Sequence, residues 1–162
     1  MLKPSVSVSV VIATHNAQRT IAACLASIRN QDYDQQSIEI IIADGASSDN
    51  TLEIAQRYQV NIVHIPRDKQ NAEYNKAIGT AQANGAFLLM IDHDNILPHR
   101  KWLQNMLKPL LEHKDVVGVE TLRYHYDSKN SLLDRYFALF GAGDPLAYYL
   151  GKADRLSFLE NT

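Results

Sequence analysis

The 162-residue chain has no glycine-rich phosphate loop: neither G-x-G-x-x-G nor G-x-x-x-x-G-K-[ST] occurs in it. That excludes the dinucleotide fingerprint and the P-loop, so any phosphate must be held by other means. Cysteine occurs once, at Cys24, which excludes an internal disulfide framework and fits a reducing compartment. The formal charge is only −2, too small for a global field that would gather nucleic acid. No apolar run approaches the roughly 18 residues of a membrane span. The N-terminal "SVSVSVVIA" alternates like a strand and runs into polar "THNAQR" where a leader would have a cleavage site. The expectation is a soluble cytoplasmic protein without nucleic-acid partners.

What is present is ordinary globular material, 46% hydrophobic and 21% charged, in one domain's worth of chain. Val6 to Ala13 reads as a buried strand, and Ile21, Leu25 and Ile28 recur after it at helical spacing. Cys24 falls on the buried side of that helix, as a small core residue. "IEIIIA" (38–43) is a second strand, and "SSDN" after it is a helix start whose side chains can cap orphan amides. Leu52, Ala55 and Gln59 would continue that helix. Val60 to Ile65 is a third strand, Ala72 to Ala83 a third helix, and Ala86 to Ile91 a fourth strand. Pro98 suits the first turn of a fourth helix that Pro109 would kink or end. Val116 to Leu122 reads as a fifth strand.

Strands alternating with helices imply a parallel sheet covered on both faces, in the doubly wound order 3-2-1-4. The carboxyl ends of strands one and four then meet at the switch point where ligands bind. Thr14-His15-Asn16, Asp44-Gly45 and Asp92-His93-Asp94 all fall on that edge. Two carboxylates one residue apart can share Mg²⁺ or Mn²⁺, with a phosphate completing the coordination. Asp44 could accept from a nucleobase N–H, and Thr14, His15 and Asn16 offer groups for base and ribose. A solvated turn is the plain alternative for an isolated D-x-D.

"VSVVIATHNAQRTIAACLASI", "IEIIIADGASSDNTLEIAQRY" and "GAFLLMIDHDNIL", in that order and spacing, resemble the family 2 glycosyltransferases, inverting enzymes of the GT-A fold. The resemblance runs from about Val6 to Trp102. It implies a nucleotide-sugar-binding GT-A domain over 1–125, a Rossmann-like α/β sheet. Residues 126–162 would be a partial acceptor-side or interface segment, with the acceptor half truncated. It places Thr14, His15 and Asn16 beside the nucleoside, His15 standing where the family often has tyrosine. Asp44 matches the base-reading acid; Asp92 and Asp94 match the D-x-D motif, with Asp92 nearer the ribose and Asp94 on the metal. His93 is expected to be a spacer turned away. Ser47, Ser48, Asp49 and Thr51 match the helix-start motif, as caps.

The family also brings a basic residue and an asparagine to the site before the fourth strand. "RDKQNAEYNKAIGTAQANG" offers Arg67, Lys69, Asn75 and Lys76 at a spacing that does not align cleanly, and Lys76 is taken as the diphosphate contact. The family's general base, often in an E-D pair, has no counterpart. Glu120, Asp127, Asp134 and Asp144 are available, each reading more readily as a surface or capping acid. The implied reaction is inverting transfer from a nucleotide-diphosphate sugar to a sugar or lipid-linked acceptor, assisted by Mg²⁺ or Mn²⁺. A nucleotide-sugar-binding module without transfer is the alternative. A nucleotidyltransferase would show a glycine- and basic-rich loop where this chain has "THNAQRT". The apolar stretch 132–150 could contact a second copy or the inner face of the membrane.

Overall fold

The computed structural model describes residues 6–121 and 126–140. Four strands, β1 (Val8–Thr14), β2 (Ile38–Asp44), β3 (Asn61–His64) and β4 (Phe87–Asp92), form an all-parallel sheet in the order β3-β2-β1-β4. That is the doubly wound order expected from the strand–helix alternation. Every residue of β1 is buried, because a central parallel strand is covered on both faces as well as on both edges.

Helix α1 (Ile21–Arg29) buries Ile21, Cys24, Leu25 and Ile28, one apolar stripe at helical spacing. Helix α2 (Thr51–Gln56) packs against α1. Helix α3 (Ala72–Thr80) packs on β1 and β2, with Gly79 against Val11, Ile41 and Ala43. Right-handed crossovers explain the layering. The chain steps one way from β1 to β3 and back the other way from β3 to β4, so α3 lands on the face opposite α1 and α2.

At the far end of the sheet Glu39 accepts from the Ser9 hydroxyl (2.6 Å) and from the Asn84 backbone and side chain (both 3.1 Å). Burial raises the Glu39 carboxyl, but these hydrogen bonds outweigh it and hold it below its ordinary value. Helix α4 (Trp102–Glu112) starts where buried Gln31 accepts from the Leu103 amide at 2.9 Å and donates to the His99 carbonyl at 3.0 Å.

Three expectations are corrected, and that for Pro109, to kink or end its helix, loses its second alternative. Pro98 precedes α4 instead of opening it, and Pro109 lies inside the helix without ending it, the His113 amide still donating to the Pro109 carbonyl. Helix α2 stops at Gln56; Gln59 has a positive φ of 54°, which no helix continues through. Residues 116–121 form no strand, and Val117 is 97% exposed, because β-branched residues make a strand only where an edge accepts them. Leu122 lies outside the described residues.

The chain divides into two compact units, Met1–Lys108 and Pro109–Thr162. In the second, helix α5 (Leu132–Phe140) begins with a reciprocal cap between Ser131 and Asp134. No helix among the described residues is long and apolar enough to cross a membrane.

A crevice at the carboxyl ends of the strands

Register brings the three sequence motifs together. Thr14 lies opposite Asp44 across β1 and β2, and Ala13 lies opposite Asp92 across β1 and β4. The strand ends open into a crevice of about 330 Å³ lined by Thr14, His15, Gln70, Asn75, Asp92, His93 and Asp94, among others. A second hollow, on the side of α1, shares His93 as a wall and is lined by residues 16–20 with Ser48 and Asp49.

Asp44 does not sit in the crevice wall as an open acid. It is 1% exposed, and its carboxylate already accepts from the Thr14 hydroxyl (2.9 Å), the Ser47 hydroxyl (2.5 Å) and the Ser47 amide (2.9 Å). A carboxylate has about four acceptor positions, so one remains, on Oδ2.

Ser47, Asp49 and Thr51 also do more than cap. The Asn16 amide donates to Ser47, the Ala17 amide to Thr51 (2.7 Å) and the Gln18 amide to Asp49. Asn16 returns a bond by accepting from the Ser48 amide. These residues clamp the loop after β1 to the loop after β2, while the N-cap residue of α2, Asn50, makes no capping bond with its side chain. Asp49 is held below the ordinary carboxylate range, since the Thr51 and Gln18 hydrogen bonds outweigh the opposing effect of burial.

The clamp fixes His15. Its Nδ1 lies 2.7 Å from the Gly45 carbonyl, which can only accept, so Nδ1 carries the proton. In the neutral ring Nε2 then accepts from the Asn16 amide group at 3.3 Å. Gly45 allows the close approach behind it: a Cβ there would lie 2.7 Å from Asn75 Nδ2 and 2.8 Å from Gln70 Cβ.

Asp92 ends β4, and Asp94 lies in the turn that follows. Asn95, which the motif reading passed over, sets that turn, accepting from the Asp92 amide (3.1 Å) and donating to Asp94 (3.4 Å). His93 pairs its Nδ1 with the Thr20 hydroxyl at 2.9 Å, turning the ring toward the start of α1. The Cys24 thiol donates to the Asp92 carbonyl at 3.7 Å. Burial first, and then the Asp94 and Asp92 charges, push that thiol up to about 12, so it is a packed core group and no nucleophile.

Lys76 reaches the crevice from α3, its Nζ 2.9 Å from Asp92 Oδ1. That hydrogen bond, opposed by burial and aided by the Asp92 and Glu73 charges, raises its pKa. Beside it Asn75 is 2% exposed, and its Oδ1 is buried without a hydrogen-bond partner. An orphaned acceptor at the wall of a crevice is what a ligand N–H or O–H would satisfy. In sequence Asn75 is one of four candidates with Arg67, Lys69 and Lys76, and only its burial sets it apart.

Among the described residues no three His, Cys, Asp or Glu side chains gather as a metal site. Two carboxylates fit a hard divalent cation completed by ligand phosphate oxygens and water, as Mg²⁺ sites commonly are. Of the acids considered for a general base, Asp127 ties a turn by accepting from the Lys129 amide and Asp134 caps α5. Glu120 is exposed outside any strand, and Asp144 lies outside the described residues.

Residues 9–153 match the family model described as glycosyl transferase family 2. Glycosyltransferase AglE of Haloferax volcanii is 29% identical over 134 residues, covering 80% of this chain and 43% of that protein. Glycosyltransferase GlyG of Streptococcus pneumoniae is 30% identical over 142 residues, 83% of this chain and 44% of that one. Among solved structures, S. aureus TarS 1–349 in complex with UDP-GlcNAc superposes with a TM-score of 0.61 at 22% identity, over 74% of this chain and 38% of that one. The mannosyltransferase PcManGT from Pyrobaculum calidifontis, in complex with GDP-Man and Mn²⁺, gives 0.60 at 23% identity, over 67% and 33%. These two show a shared fold. The chain spans less than half the length of these relatives.

Proposed function

The chain belongs to glycosyl transferase family 2, and from that premise we propose that its crevice binds a nucleotide-diphosphate sugar for inverting transfer to an acceptor hydroxyl, on a sugar or a lipid-linked sugar. The observation that carries the reading is the meeting, in one crevice, of the Asp92–Asp94 pair with the unsatisfied Asn75 Oδ1. The nucleoside lies against Thr14 and His15, whose ring the Gly45 carbonyl holds still. Asn16 acts through the loop clamp and the His15 ring. Asn75 Oδ1 and the remaining Asp44 position accept from base or ribose.

Asp94, with Asp92, would hold Mg²⁺ or Mn²⁺. Bound there, the cation neutralises the diphosphate and stabilises it as a leaving group. The protein's own part is to hold the two acids in place through Asn95. The relatives named above, AglE, GlyG, TarS and PcManGT, bear glycosyltransferase names or nucleotide-sugar complexes, which supports the donor class. A second reading, a nucleotide-sugar-binding module without transfer, is favoured by one observation. Among the described residues that line the crevice the carboxylates are Asp92 and Asp94, both assigned here to the cation and so not free to act as base.

Calorimetry with UDP and GDP tests the donor site. At least one should bind with Mn²⁺ and much more weakly in EDTA, because two adjacent carboxylates repel a diphosphate without a cation. Asp94→Asn should abolish most of the metal-dependent gain. Equal affinity with and without metal would refute the assignment.

A further inference from the structure

We propose that Lys76 is the resident counter-ion of Asp92, which a divalent cation must displace, the freed ammonium then turning to the diphosphate. The inference rests on the donor-site reading and adds to it an order of events at one residue.

The geometry carries it. Lys76 Nζ sits 2.9 Å from Asp92 Oδ1, the very carboxylate that would coordinate the cation. The ammonium's side chain is 25% exposed and the carboxylate's 58%, so the pair stands at the crevice mouth with solvent on one side. It is neither locked in the core nor free in water. Its base is fixed, because the preceding residue, Asn75, is 2% exposed and its amide donates to the Asn71 carbonyl in the first turn of α3. The tip is free to swing because the stem of a lysine has four rotatable bonds.

An ammonium on Oδ1 of Asp92 and a divalent cation on the same carboxylate stand only a few ångströms apart, even where the cation takes the other oxygen. Like charges a few ångströms apart at a protein surface repel by several kcal/mol at an effective dielectric of about 20. Metal alone therefore weakens the Lys76–Asp92 pair, setting a doubly charged neighbour against the ammonium and driving it off the carboxylate. A nucleoside diphosphate changes the balance, because its β-phosphate gives the displaced ammonium a new partner. Metal and nucleotide thus favour each other's binding, and Lys76 carries part of that coupling.

Lys76→Met keeps the stem and removes the charge. Binding of Mn²⁺ alone, followed by the free-ion electron paramagnetic resonance signal, should become on the order of tenfold tighter than in the wild type. In saturating Mn²⁺ the same variant should bind UDP or GDP, whichever the wild type takes, about tenfold more weakly. Opposite signs for the two ligands are the signature, since general damage to the crevice weakens both. Lys76→Gln should behave alike, and circular dichroism confirms the fold of each variant. If the wild type binds nucleotide in a Mn²⁺-dependent way but neither variant binds Mn²⁺ more tightly, the Lys76 assignment is overturned and the donor site stands. If the wild type shows no Mn²⁺-dependent nucleotide binding, the donor-site reading fails and this one fails with it.

Discussion

Asp44 shows how a residue can be found for one reason and kept for another. As an acid at a strand end it suggests a group open to a nucleobase, one that could be removed without disturbing the fold. The structure corrects the second half of that expectation: the carboxylate is buried and receives Thr14 and Ser47, tying the β1 and β2 loops. Asp44→Ala should therefore lower stability by about 1–3 kcal/mol, the usual cost of leaving buried donors unpaired. Asp44→Asn, which keeps one acceptor oxygen, should lose less. Chemical denaturation read beside nucleotide affinity separates the two roles. Unchanged stability in Asp44→Ala would show that the clamp contributes nothing. Sequence could not reveal this, because type and position were visible while burial was not. The same holds for Asn75, one candidate of several until its unsatisfied oxygen singled it out, and for Asn95, which lies next to the motif and sets its turn.

At the level of elements the sequence is plain where two signals agree. The four strands are apolar runs bounded by turns, and α1 and α3 follow breaks in that pattern. The sequence misleads where propensity stands alone. "VVGVE" (116–120) has a strand's composition but no paired strand, and Pro109 looks like a helix end yet is carried within α4. Helix α3 offers a sharp test of packing against propensity. Gly79 to Ala removes glycine's cost inside a helix, a gain of about 1 kcal/mol. The new Cβ, however, would lie 2.7 Å from Val11 Cγ1 and 3.2 Å from Ala43 Cβ, and both neighbours are core residues with little room to move. Overpacking of that kind costs about 1–3 kcal/mol, so the net effect should be destabilising. A raised midpoint in thermal unfolding would show that α3 can slide off the sheet at little cost.

For the molecule as a whole, family, fold and the meeting of the three motifs at one edge of the sheet were legible, because the motifs recur in order at strand ends and topology does the rest. The reaction's second half was not, since no acid of the chain stands in the context of a base. If Asp92 and Asp94 hold the donor as proposed, the 162-residue chain is expected to bind nucleotide in a metal-dependent way and to transfer poorly. General base catalysis alone is worth about 10²–10⁴-fold. A screen of donors against acceptor sugars checks this, and robust turnover would mean that a base has been overlooked. The placement of β1 at the middle of the sheet has a further consequence, in time. During synthesis β1 can pair with β2 as soon as Ile38–Asp44 emerges, but its other edge waits for Phe87–Asp92. At roughly 5–20 residues per second the ribosome takes several seconds to cover that gap. Throughout that interval the most buried strand of the finished protein has a bare edge, and the strand that finally covers it is the one that delivers Asp92. The nascent chain thus gains its cover and its two acids in the same event.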